Sequence, residues 1–488
     1  FFLCYNNIVM NLSANPTPNR EAETRSTEKR PFRKALSALV APIALQQFML
    51  ALVSASDAIM LGFIDQAMLS AVSLAGQIQF VYNLFILALT IGASMFAAQF
   101  WGKGDKERVE KLLAFVLRIS LIVSAAFFLA ATAIPSLLMR IFTADAALIE
   151  AGVPYLRTVA ASYLFCGVSQ IYLCILKNSG HATMSTIVST SSVVINIGFN
   201  AVLIYGLLGI PALYTVGAAI ATVLARLIEM LWSALFSFKE NCCKFRWRYF
   251  ARVDAVLRRK YWRYTLPVLG NELVWGVGFT MYTVIMGHLG SDATAANSVA
   301  NIVKNLIACF CLGLGSGGGI LVGNELGAGN LAKAKEYGNK LCKLSVIGGI
   351  VSGLLLLALM PAVLWLAKFT SLTKTAYEFL KWMLLICSVY MLGKSVNATL
   401  VSGIFCAGGD TKFGLLCDFI TMWCIVVPFG FISAFLIDLP VQIVYLIVSL
   451  DEFIKIPAVL WRYRKYKWVK NLTIDFDPKE KEAKYEPL

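Results

Sequence analysis

A chain of 488 residues in which 58% are hydrophobic, 15% are charged and the formal charge is +15 carries far more apolar surface than a soluble domain, whose apolar share is about 45–50%. The composition excludes a water-soluble fold. It also removes nucleic-acid binding as an explanation of the charge, because in a membrane protein the placement of Lys and Arg carries the meaning.

Residues 1–34 read as a polar, disordered tail. The chain opens FFLCYNNIVM, without an initiating Met and without the basic start and cleavage site of a signal peptide, so Met10 is the expected start. From there, apolar runs of the roughly 20 residues a helix needs to cross a bilayer recur at 36–58, 72–99, 113–134, 153–176, 184–206 and 215–237. After a basic linker at 238–264 they resume at 265–287, 296–323, 344–366, 378–405, 413–436 and 440–461, before a basic tail at 462–488. Helix is required because a backbone in lipid must satisfy its own hydrogen bonds, and the alternation of barrel strands is absent. Twelve spans follow.

If both termini are cytoplasmic, the inside segments hold 33 Lys and Arg, nine of them in 238–264. The outside loops hold three: Arg140, Lys368 and Lys374. This asymmetry predicts a multi-pass plasma (inner) membrane protein whose linker and tail face anionic lipid. The twelve cysteines lack paired CxxC spacing and read as small apolar residues, and the two histidines, His181 and His288, make no catalytic constellation. Neither an enzyme nor a bound cofactor is expected.

Offset by 225, residues 42–110 align with 267–335 without a gap, with eleven identities that include Pro42/Pro267, Gly62/Gly287, Gly92/Gly317, Gly102/Gly327 and Gly104/Gly329. An even number of spans separates the copies, so the halves are parallel repeats about an axis along the membrane normal. That arrangement places a substrate site near midplane between two bundles. The expected architecture is an all-α integral membrane protein of two pseudo-symmetric six-helix lobes, 35–237 and 265–461.

SASDAIMLGFID (54–65), SGHATMSTIVSTSSVVINIGFNAVLIYG (179–206), AGGDTKFG (407–414) and VGNELGAGNLAKAKEYG (322–338) resemble the multidrug and toxic compound extrusion (MATE) family. The resemblance implies an antiporter that expels small, often cationic, organic compounds in exchange for Na⁺ or H⁺, with no nucleic-acid partner, acting as a monomer. Where the second half reads GGDT the first reads SGHAT, so the acidic position is Ala182 and carries no role.

Four carboxylates lie well inside spans: Asp57, Glu229, Glu272 and Asp418. A charged acid at a helix centre costs about 2.5–3.5 kcal/mol on insertion scales, so each needs a partner, a proton or a wet cavity. Asp57 matches the family's cation-coupling aspartate; an interfacial acid is the competing reading. Asn196 and Asn200, one turn apart, match the family's polar pair and suit a Na⁺ or H⁺ site with Asp57; helix-packing glue is the alternative. Thr222 is a weaker member. Glu272 and its repeat counterpart Gln47, like Tyr282 and its counterpart Asp57, keep polarity in both halves, as expected of the cleft between lobes. Asp418 is the other acid of this second-lobe site, and for either acid a salt bridge with Lys304 or Lys394 is the competing reading. Glu229, three residues after Arg226, reads as a local ion pair. Trp275, Tyr282 and Trp423 are aromatic candidates for a flat cation. GLGSGGGILVG lacks the phosphate-loop Lys, and Gly315, Gly319 and Gly323 suit helix packing. A flippase for lipid-linked saccharides is the runner-up function; it calls for several Lys or Arg at the cleft, whereas the intramembrane set leans acidic despite Lys304 and Lys394.

Overall fold

The computed structural model describes residues 32–62, 66–207, 209, 211–239, 241–252, 254–368 and 372–476, with the side chains of 54, 55, 57–59, 61, 62, 66, 67, 69 and 475 outside that description. Most of the tail expected at 1–34, Met10 included, lies outside the described residues, while Phe32, Arg33 and Lys34 already belong to the first helix. The first half comprises α1 (Phe32–Gly62), α2 (Gln66–Gly102), α3 (Lys106–Ala133), the short α4 (Pro135–Arg140), α5 (Ala146–Val159), α6 (Ala161–Asn178), α7 (Ala182–Tyr205) and α8 (Tyr214–Ser237). After the short α9 (Trp247–Ala251) come α10 (Ala255–His288), α11 (Ser291–Gly327), α12 (Leu331–Ala367), α13 (Lys374–Phe405), α14 (Thr411–Leu436), α15 (Val441–Val448) and α16 (Asp451–Arg464). No strand occurs among the described residues.

Among the described residues, ten helices are each long and apolar enough to cross a membrane, and α5 with α6, bent by 46° at Ala160, makes an eleventh. The run expected at 440–461 departs from a single helix: it is broken at Ser449–Leu450, and α16 starts with Asp451 and Glu452. Acids in a first turn are favoured by the helix dipole, whereas in mid-helix they are not. A second difference is at α10, which starts ten residues before the expected 265 because Asp254 caps it, accepting from Val256 N at 2.8 Å.

The offset of 225 is a symmetry of the packing. It maps α1 onto α10 and α2 onto α11, and α1 packs on α11 while α10 packs on α2. Gly104 and Gly329, with φ of +79° and +81°, turn the chain after α2 and α11 in the left-handed region that glycine tolerates. Beside them α2 and α11 cross backbone to backbone. A Cβ at Gly102 would overlap the carbonyl of Asn324, and one at Gly327 would overlap the carbonyl of Gln99, and these four positions exchange under the same offset. Gly315 and Gly319 of α11 lie against the backbone of Ala398 and Gly403 in α13, where α13 is π-helical, and Gly323 lies against Ala98. Small residues in contact and large ones toward lipid are the membrane pattern. On α12, Gly348, Gly349 and Gly353 are buried while Ile347, Val351 and Leu354 are 56%, 55% and 60% exposed.

The expected basic tail is ordered from 462 to 476. Arg462 donates two hydrogen bonds of 2.7 Å to Asp410, and the chain then crosses beneath both halves as a strap. Trp468, fully buried, stacks on Tyr463 with ring centres 5.7 Å apart. Leu472 N donates to Gln99 Oε1 at 2.7 Å, Gln99 Nε2 donates to Ala407 O and Lys470 O, and Arg108 donates to the Phe476 carbonyl. The linker after α8 folds under the first half instead, with Glu110 accepting from Lys244 N and Arg246 Nε.

Candidate functional site

Polar side chains gather at one place in each half. In the first, α7 and α8 pack together and bring Asn196 Nδ2 within 3.5 Å of Thr222 Oγ1, while Asn200 Nδ2 reaches Asn196 Oδ1 at 3.4 Å. Asn196, Asn200 and Thr222 are thus one cluster. Asp57 lies on α1, which packs on α7, but its side chain is outside the described residues. Nearby, Glu229 is held by Arg226 at 2.8 Å and by the Ser169 hydroxyl at 2.8 Å, the local ion pair its spacing predicts. Gln47 lines a cavity of about 120 Å³ between the halves, together with Ser94, Lys177, Asn178, Ser316 and Ser402.

The second half holds a larger polar assembly. A cavity of about 200 Å³ is walled on the α10 side by Trp275, Phe279, Tyr282 and Met286, which recur at helical spacing. On α11 the stripe Asn297, Asn301, Lys304 and Asn305 faces it, and Asn301 Nδ2 donates to Asn297 Oδ1 at 3.0 Å. Tyr390 and Lys394 of α13, Tyr445 of α15 and Asp451 of α16 complete it. Lys304 Nζ lies over the Tyr390 ring at 5.1 Å, and Lys394 Nζ lies over Trp275 at 5.7 Å.

Next to this cavity four charges form a neutral chain. Lys394 pairs with Glu452 at 3.2 Å, Glu452 with Lys455 at 3.4 Å, and Lys455 with Asp418 at 2.9 Å. Asn397 Nδ2 donates to both the backbone carbonyl and Oε2 of Glu452 at 2.7 Å. Three of the four are deeply buried: Glu452, Lys455 and Asp418 are 2%, 4% and 9% exposed. Ion pairs at this depth persist only when each charge has a partner and further hydrogen bonds. Asp418, expected at the cleft, is therefore consumed by Lys455 and does not line the cavity. The competing reading, a bridge to Lys304 or Lys394, does not apply to it either.

Glu272 behaves differently. It lies one turn from Trp275 on α10, is half-buried, and makes no hydrogen bond or ion pair with any described residue; Asp418 and Lys394 supply the charges around it. Trp423 donates to the Val274 carbonyl at 3.2 Å, so this aromatic candidate is a packing group.

Sequence reasoning passes over Asp451, Glu452 and Lys455, although DEFIK stands inside the last apolar run. The break there was the available signal. Interrupted helices at membrane depth occur where backbone lines a cavity, and their ends are used for charged ligands. Among the described residues, no group of three or more His, Cys, Asp or Glu side chains is arranged to hold a metal ion.

Comparison with known proteins agrees with this architecture. The MatE family model matches residues 42–202 and again 267–432, and the two matches start 225 residues apart. An uncharacterized transporter, YisQ, of Bacillus subtilis is 24% identical over 461 residues, covering 92% of this chain and 99% of its own length. A probable multidrug resistance protein NorM of Bradyrhizobium diazoefficiens is 22% identical over 445 residues, covering 87% and 92%. Among solved structures, a transporter of the MOP superfamily from Pyrococcus furiosus, described by a binding pocket of reverse polarity, superposes with a TM-score of 0.82 at 18% identity over 90% of this chain and 96% of that one. With one family model matching both halves at the offset of the internal repeat, the chain belongs to the MatE family, the multidrug and toxic compound extrusion transporters.

Proposed function

We propose that this transporter is a secondary antiporter of the plasma membrane, acting as a monomer with both termini cytoplasmic, that exports small organic compounds carrying a positive charge in exchange for Na⁺ or H⁺. The observation that carries the reading is Glu272, an acid on a spanning helix with no partner among the described residues. An uncompensated carboxylate in a span is costly and is used for ions or charged substrates. Asp57, with Asn196, Asn200 and Thr222, carries coupling in this reading, and Glu272 recognises the substrate's positive charge. The flippase alternative is less favoured, because two of the three lysines beside the second-half cavity, Lys394 and Lys455, are neutralised by acids. A pyrophosphate clamp needs free cations.

Everted vesicles energised separately by a Na⁺ gradient and by a pH gradient, with ethidium as the transported cation, test this. Asp57→Asn should abolish gradient-driven uptake while ethidium binding at equilibrium falls little. Glu272→Gln should weaken ethidium binding by about 1.5–3 kcal/mol, the worth of a hydrogen bond to a charged group. The reading fails if neither gradient drives uptake, and the division of labour fails if the two variants behave alike.

A further inference from the structure

The second-half cavity contains two opposite charges that do not satisfy each other. Asp451 is 3% exposed and makes no hydrogen bond or ion pair with any described residue, and its Oδ1 is buried without a partner. Lys304 lines the same cavity and has no carboxylate within ion-pair distance among the described residues; its one contact of this kind is the face of Tyr390. The Tyr282 hydroxyl, also on the wall, is buried and unpartnered among the described residues. The neighbouring Lys394, Glu452, Lys455 and Asp418 are already paired among themselves, so these three groups are what the network leaves over.

Buried polar groups without partners are costly, and a site that keeps them gains when a ligand supplies the missing partners. A lipophilic cation would satisfy Asp451 but set its charge against Lys304. An anion would do the reverse. A ligand bearing both charges on one small skeleton satisfies both, while the amides of Asn297, Asn301 and Asn305 can donate to one end and accept from the other. At about 200 Å³ the cavity is smaller than the roughly 300–1,000 Å³ of drug-sized pockets, and its Trp275–Phe279 stack, with ring centres 5.7 Å apart, offers a flat apolar wall.

We propose that this cavity binds a compact zwitterion of the amino-acid type, with its carboxylate at Lys304 and its ammonium at Asp451 and Tyr282. The proposal rests on the transport reading above and adds a second ligand class to it; Glu272, one turn from Trp275, lies outside the lining of this cavity and the three groups that hold the zwitterion, and keeps its role toward cationic substrates.

The test is binding to the detergent-purified full chain of three probes of one shape: L-phenylalanine, its methyl ester, which is only a cation, and N-acetyl-L-phenylalanine, which is only an anion. The unmodified chain should bind phenylalanine about tenfold or more tighter than either derivative, because each derivative gives up one charge-assisted hydrogen bond. Lys304→Gln should erase the preference over the ester, Asp451→Asn the preference over the acetyl derivative, and Lys304→Arg should retain both. Equal or tighter binding of the ester, binding of none of the three probes, or a preference unchanged by Lys304→Gln overturns the proposal. Ethidium uptake by everted vesicles carrying the same chain and variants separates the two readings. Gradient-driven uptake without phenylalanine binding defeats the zwitterion site alone, and phenylalanine binding without any gradient-driven flux defeats the antiporter alone.

Discussion

The crossing of α2 and α11 yields a quantitative expectation. An added Cβ at Gly102 would stand 2.7 Å from the Cα of Asn324, and one at Gly327 would stand 2.5 Å from the Cα of Gln99. Carbon atoms pack at about 3.5–4.0 Å, so alanine at either site forces the two helices roughly 1 Å apart. Overpacking of that kind costs about 1–3 kcal/mol, and the cost falls only on the state in which this end is closed. It therefore raises the ratio of open to closed at that end by about 5–150-fold. The two substitutions ask for the same displacement, so the double variant should move the ratio little further than either single one; neighbouring sites with a shared relaxation are non-additive. Ser402 lines the inter-lobe cavity beside this crossing. A cysteine there, in a background without reactive native thiols, reports the change as the rate of maleimide labelling from the strap side. Gly76→Ala is the control, since a Cβ there meets nothing within 4 Å. Unchanged labelling in Gly102→Ala and Gly327→Ala, or a double variant equal to the sum of the singles, would refute the reasoning.

Three further outcomes are expected. Trp468→Ala removes a fully buried ring and should lower stability by about 3–5 kcal/mol, read as a fall in thermal midpoint, while raising Ser402 labelling in the same direction as the glycine variants. Glu229→Gln strands the Arg226 guanidinium, whose side chain is 27% exposed; removing one member of such a pair costs about 3–5 kcal/mol, so the thermal midpoint should drop equally in Na⁺ and in K⁺ media. The excess of Lys and Arg at 238–264 predicts that a cysteine at Ser291, the first residue of α11, labels from outside intact cells; labelling only in everted vesicles would reverse the orientation.

The repeat was legible in the sequence because its glycines sit where geometry forbids a side chain. Gly102 and Gly327 face a backbone, and Gly104 and Gly329 adopt positive φ, so the residue type itself carries the information. The broken last span was not legible. Val441–Val448 is apolar enough to dominate any window that includes it, and the partners of Glu452 and Lys455 stand on α13 and α14, which local sequence cannot reveal. The stripe Asn297, Asn301, Lys304, Asn305 obeys helical periodicity and was readable in principle, but a window over the following glycine-rich stretch averages it away. For Asp418 and Glu272 the sequence could state that each needs an explanation. Which one finds a lysine was a matter of tertiary packing. The strap read as a basic tail facing anionic lipid because its lysines outnumber Trp468 and Leu472, the apolar side chains it buries.

The strap is an unrepeated segment that ties both halves together at one end, through Gln99 and Arg108 of the first half and Asp410 and Gly327 of the second. A machine of two equal halves would weigh its two open states by ligand and lipid alone; the strap makes them unequal at rest. Yet it returns to the same place after each full turnover, so its free energy cancels around the cycle and leaves the attainable concentration ratio to the driving ion. What it alters is waiting time and apparent affinity, which fall and rise with the fraction of molecules open to each side. Cutting the strap would make the transporter faster or slower and shift its half-saturation on the two faces in opposite senses, with the final accumulation unchanged.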